Sequence, residues 1–108
     1  MVKKALAVKL FAKPEKEAEA EAFLMSALEL VNTEPLTVSW YALKFNENTF
    51  GIFDTFDSDE GRDAHLHGKV AEALIAKAPD LFLEDPDIER AEILAAKIAK
   101  PKAGSSIA

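Results

Sequence analysis

Two histidines, His65 and His67, are the only side chains in this sequence whose ordinary pKa, about 6.5, lets them exchange a proton near neutral pH. Each is therefore a candidate general base. They do not read as a metal pair, because a metal site needs three or four converging ligands and an i, i+2 spacing sends two helical side chains to different faces. Asp54 is the third unusual residue. Aspartate is disfavoured inside strands, yet this one lies between Ile52 and Phe56 on one face of an apolar run. A carboxylate there needs a partner: it can orient a histidine, accept from a substrate hydroxyl, or cap the helix that follows. Trp40 and Tyr41 are neighbours in a strand and point to opposite faces, so only one can line a given pocket. Trp40 is expected in the core with its indole N–H bonded, and Tyr41 either faces a partner subunit or offers a phenolic donor. Phe50, Phe53, Phe56 and Phe82 supply aromatic lining or core.

Composition bounds the alternatives. At 108 residues the chain is one domain, expected over 1–99, with a tail at 100–108 that is polar enough to be disordered or wrapped on a partner. A net charge of −6, with only two arginines among thirteen basic residues, lacks the footprint for nucleic acid. The absence of cysteine removes thiolate nucleophiles, iron–sulfur ligation and Cys-based zinc sites together. No phosphate loop, nucleophile elbow or dinucleotide fingerprint is present, so no cofactor is expected. The basic start is followed by an apolar run too short and too interrupted by Lys9 for a signal peptide, and no stretch approaches the ~20 apolar residues of a membrane span. A cytoplasmic protein without membrane contact is expected.

The elements that must position these residues can be read from periodicity. Leu6, Val8 and Leu10 alternate with Lys9, which predicts a strand over 5–12 with one core face. Pro14 suits a first helical turn, and Ala20, Phe23, Leu24, Ala27, Leu28 and Val31 mark one apolar face, so a helix is expected from Pro14 to Val31, ended by 32–35. The β-branched and aromatic runs 37–45 and 49–56, separated by Asn46-Glu47-Asn48, form an antiparallel hairpin. Val38, Trp40 and Ala42 lie on one side of it, Tyr41, Leu43 and Phe45 on the other, and both sides are too apolar for water. Asp57 and Glu60 have capping-box spacing, opening a second helix that runs to about Lys77 before Pro79. For 88–99 propensity favours helix, but without a last strand a sheet edge would lie bare, so a strand is expected.

The resulting β-α-β-β-α-β order is the ferredoxin-like α+β plan, with both helices on one face of a four-stranded antiparallel sheet. The other face then needs a second subunit, so a homodimer is expected. On a continuous second helix, Ala64, Gly68, Ala71, Leu74 and Ile75 mark the sheet-facing arc. His67 falls inside that arc, whereas His65 lies toward the charged side with Lys69 and Glu72. Loss of the His65 side chain should then leave the fold intact, and loss of His67 should harm it.

The stretch TFGIFDTFDSDEGRDAHLHGKVAEAL, 49–74, resembles the strand–helix segment of the antibiotic biosynthesis monooxygenase-like family, with Ala64-His65 matching that family's Ala-His pair and Lys13-Pro14 its turn after the first strand. The resemblance implies a dimeric α+β barrel built from ferredoxin-like protomers. It also implies cofactor-independent oxidation of a small aromatic, phenolic or quinol-type molecule in a pocket between sheet and helices, where a base ionises the substrate for direct reaction with dioxygen. The matching histidine is His65, taken as the base, with Trp40, Asp54, His67, Phe53 and Tyr41 as candidate substrate-binding residues. The haem-degrading relatives' Asn in the first strand and Trp before the second helix are missing. The other reading is a non-catalytic dimeric binding or stress-response protein of the same fold.

Overall fold

The computed structural model describes residues 2–99; the expected tail, 100–108, lies outside them. Eight elements follow in order: β1 (Lys4–Phe11), α1 (Glu17–Ser26), α2 (Leu28–Val31), β2 (Ser39–Asn46), β3 (Thr49–Phe56), α3 (Asp59–Leu66), α4 (Lys69–Leu81) and β4 (Asp87–Glu92). The strands form one antiparallel sheet in the order β2-β3-β1-β4, which is the ferredoxin-like arrangement. In register, Leu6 faces Asp54, Val8 faces Ile52 and Leu10 faces Phe50 across β1 and β3, while Trp40 faces Asp54 across β2 and β3. These residues share the helix-covered side, since side chains alternate faces along a strand. Leu6, Leu10, Phe50 and Phe56 on the sheet and Leu81 on α4 are the largest fully buried apolar side chains.

Both expected helices are divided in two, for local reasons. Glu15 has a φ of 70°, in the left-handed region, so Pro14 and Glu15 form a turn and α1 begins only at Glu17. Near Ala27, the Ser26 hydroxyl donates back to the Phe23 carbonyl at 2.7 Å, and the chain restarts as α2. The second helix is capped by Ser58 rather than by Asp57: its hydroxyl accepts from the Gly61 N–H at 3.2 Å. It breaks at His67-Gly68, where Gly68 is extended and starts α4. Pro79 lies inside α4 instead of closing it.

β4 ends at Glu92, and 93–99 continue without regular structure, so the last strand is about half the expected length. The buried Arg62 ties this region down: it donates to the carbonyls of Ala5 at 3.3 Å and Ala91 at 3.0 Å, and pairs with Asp59 at 3.1 Å. The opposite sheet face is open. Tyr41, Leu43, Phe45 and Phe53 are exposed there, Tyr41 stacks on Phe53 at 6.4 Å, and Phe45 lies over Gly51, where a Cβ would come within 2.9 Å of its ring. Among the described residues no helix is long and apolar enough to cross a membrane.

Candidate functional site

The break at Gly68 decides which histidine faces inward. On α3 the buried residues are Gly61, Arg62 and His65, and on α4 they are Val70, Ala71, Leu74, Ala78 and Leu81. A single helical wheel drawn across both segments loses phase at the break, which corrects the expected assignment. His65 is 7% exposed and packs against Phe56 at 5.5 Å between ring centres. His67 is exposed at the end of α3, with its Nδ1 2.8 Å from the Asp63 carbonyl, a contact local to the helix end. Ile75, expected on the inner arc, is exposed.

His65 sits between two carboxylates. Its Nε2 is 2.9 Å from Asp54 Oδ2, and its Nδ1 is 2.6 Å from Glu34 Oε1. Ionised carboxylates only accept, so two such contacts call for an N–H on both ring nitrogens, the imidazolium form. Burial alone would pull the His65 pKa down, but its bonds to Asp54 and Glu34 outweigh it and the imidazole holds its proton above the ordinary value. Burial pushes the Asp54 carboxyl up, its contact with His65 draws it part of the way back, and the net direction is upward. Asp54 is 1% exposed, and its Oδ1 has no hydrogen-bond partner among the described residues. The three groups form one proton-bearing chain from the sheet to the 32–37 loop.

Glu34 was not among the candidates from sequence. It lies in the loop after α2, whose turn is closed by the Thr37 N–H on the Glu34 carbonyl at 3.4 Å and by the Thr37 hydroxyl on Glu34 Oε1 at 2.7 Å. Gly68 leaves room for it, since a Cβ there would stand 3.3 Å from Glu34 Oε2. No spacing pattern links positions 34, 54 and 65; only the fold joins them.

Glu34 and His65 open on a cleft of about 330 Å³, lined also by Leu36, Thr37, Ala64 and Lys69. At the centre of the interface between sheet and helices, beside Asp54, His65, Leu6 and Leu74, the space is only about 20 Å³, and the larger openings between helix and sheet lie toward β2, about 180 Å³ beside Leu24 and Phe50 and about 200 Å³ beside Val31 and Trp40. The central space holds roughly one water and no aromatic ring. Trp40 is half-buried against the main core around Leu24 and Phe50 and a smaller cluster of Ala27, Val31 and Val70, and borders a separate cavity that shares Glu34 and Thr37 with the main cleft. Its Nε1, expected to be bonded, is buried without a partner among the described residues. Phe53 and Tyr41 lie on the open sheet face, opposite to His65, and the structure does not bring them to the cleft. Of the sequence candidates, then, the structure joins Asp54 to His65 on the helix-covered side and pairs Tyr41 with Phe53 on the opposite face. No group of three or more acidic or histidine side chains is placed to hold a metal among the described residues.

The architecture is that of the antibiotic biosynthesis monooxygenase-like proteins. A candidate antibiotic biosynthesis monooxygenase from Nitrosomonas europaea superposes with a TM-score of 0.75 at 14% identity over 85% of this chain and 99% of that one. Another, from Caulobacter crescentus, gives 0.74 at 18% identity over 87% and 92%. At such identities the likeness concerns the fold. A crystal structure of a protein of unknown function from Nitrosomonas europaea is 51% identical, covers 93% of this chain and 97% of its own, and superposes at 0.89. The chain belongs to the same family as that protein. No family model and no curated protein matches it.

Proposed function

We propose that this protein is a homodimeric, cofactor-independent monooxygenase acting on a small hydroxyl-bearing aromatic or quinol-type molecule bound in the cleft beside Glu34. The observation that carries this reading is the Glu34–His65–Asp54 chain, in which buried Asp54 and His65 join a partly buried Glu34 that opens on a cleft large enough for a single ring. Burying a carboxylate and an imidazole is costly in a domain this small, and a buried pair whose pKa values are both raised, reaching a cavity through a third polar group, marks a proton-handling site. His65 has both nitrogens engaged, so the base that meets the substrate is Glu34. His65 is a positioning residue that balances its charge, and Asp54 holds the ring. A quinol ionised there reacts with dioxygen without a further reductant: one quinol and one dioxygen give one hydroxyquinone and one water, the electrons coming from the substrate.

The engagement of both ring nitrogens also suits a second reading, in which the chain is a clamp and the protein a non-catalytic binder. Oxygen uptake separates the two. With a panel of hydroquinones and polyhydroxyarenes, the catalytic reading expects enzyme-dependent uptake of one dioxygen per substrate. No uptake above the uncatalysed rate across the panel would leave the binder.

The open sheet face supports the dimer. Phe45 and Tyr41 are 58% and 54% exposed beside Leu43 and Phe53, a contiguous apolar surface on the side the helices do not cover. A second copy meeting it sheet to sheet removes that surface from water and closes a barrel. Light scattering at micromolar concentration should give twice 11.8 kDa, and Phe53→Glu should give the monomer. A wild-type monomer at that concentration would overturn the assembly.

A further inference from the structure

We propose that the cleft beside Glu34 takes a hydroxyaryl acid, a single aromatic ring whose hydroxyl meets Glu34 and whose carboxylate meets Lys69. The inference rests on the cleft being the substrate site and adds the class of molecule that fits it. Apart from the engaged His65, the charged residues lining the cleft are Glu34 and Lys69, and the rest of its wall is largely apolar, with Pro35, Leu36 and Ala64. Glu34 is committed on one oxygen, Oε1, to His65 and Thr37. Its carboxylate is acceptor-only, so it selects a ligand with an O–H or N–H donor.

Lys69 is out of place on structural grounds. It is the first residue of the thirteen-residue α4, where a cation opposes the helix dipole. No carboxylate lies within ion-pair distance of its ammonium among the described residues, although Glu72 follows one turn later. A cation that stabilises neither the helix nor an ion pair, and that borders a cavity, is placed to meet an anion brought by a ligand. That anion must stand away from Glu34, which would repel it, and the chain's net charge of −6 makes Lys69 the feature that admits it. Donor and anion therefore sit on different parts of the ligand. The cleft volume of about 330 Å³ lies at the lower end of the roughly 300–1,000 Å³ usual for ligand sites, which limits the body between them to about one ring.

The test is equilibrium binding of 4-hydroxybenzoate, 4-methylphenol and benzoate to the full chain, by calorimetry or ligand-observed NMR. A charge-assisted contact to Lys69 should make 4-hydroxybenzoate bind about tenfold more tightly than 4-methylphenol. Benzoate, lacking the hydroxyl, should bind more weakly than 4-hydroxybenzoate. In Lys69→Gln the ratio of the two phenols' Kd values should fall to about one, and the wild-type ratio should shrink as salt is raised. If 4-methylphenol binds as tightly as 4-hydroxybenzoate, or if the preference survives Lys69→Gln, the hydroxy-acid assignment is overturned while the cleft keeps its role. If none of the three binds, both readings fall.

Discussion

His65→Ala is expected to destabilise the fold by about 3–5 kcal/mol, the usual consequence of removing one partner of a buried ion pair. The cost arises at Asp54. Its Oδ2 loses the imidazole at 2.9 Å, its Oδ1 already has no partner among the described residues, and at 1% exposure neither oxygen can be solvated. In a domain of this size that should lower Tm by on the order of 20 °C. Asp54→Asn added to His65→Ala removes the stranded charge, so the double variant should be more stable than the sum of the two single losses. The pH dependence has a definite sign. The folded-state values of His65 and Asp54 both lie above their ordinary 6.5 and 3.8, so the native state binds more protons than the unfolded chain. The His65 contribution is complete below about pH 6.5 and is lost as pH rises through its raised folded value. The Asp54 contribution is likewise greatest in acid, below about 3.8, and is lost as pH rises through its own. Wild-type Tm should therefore decline between pH 6 and 9 by calorimetry, and the decline should be absent in the double variant. A flat wild-type profile would remove the ion chain from the account.

The same residues show what was legible in the sequence. Strand alternation placed β1, β2 and β3 within a residue or two, because Leu6, Leu10, Phe50 and Phe56 have one face to fill and parity fixes the rest. The oddity of Asp54 in an apolar strand correctly signalled a partner, and the partner is a histidine. What failed was phase. A helical wheel assumes an unbroken helix, and the two residues His67 and Gly68 reset the rotation, so the burial expected of His67 belongs to His65. The Gly68 that looked like a small residue on the inner face is the break itself. Glu34 left no local trace, since its role depends on a loop returning over α3 from thirty-one positions earlier in the chain. Such meetings are set by topology and have no period to detect.

Glu34→Gln is the substitution expected to cost most in activity. The amide keeps the shape of the carboxylate, can still accept from the Thr37 hydroxyl, and leaves the turn over 34–37 closed. What it removes is the lone pair able to take the substrate's proton, so kcat in the oxygen-uptake assay should fall by roughly 10²–10⁴-fold, the usual contribution of a positioned acid or base. Binding of a phenol should change far less than turnover, because glutamine still offers an acceptor to the hydroxyl. The comparison with Thr37→Val gives the role its control. Removing the Thr37 hydroxyl frees the Oε1 contact at 2.7 Å without touching the carboxylate, so it should lower the rate modestly through misplacement. His65→Ala alone cannot provide this information, since the loss of stability described above would lower activity whatever its catalytic part. If Glu34→Gln retains wild-type turnover while remaining folded, the carboxylate that opens on the cleft is not the base, and the buried chain serves the structure alone.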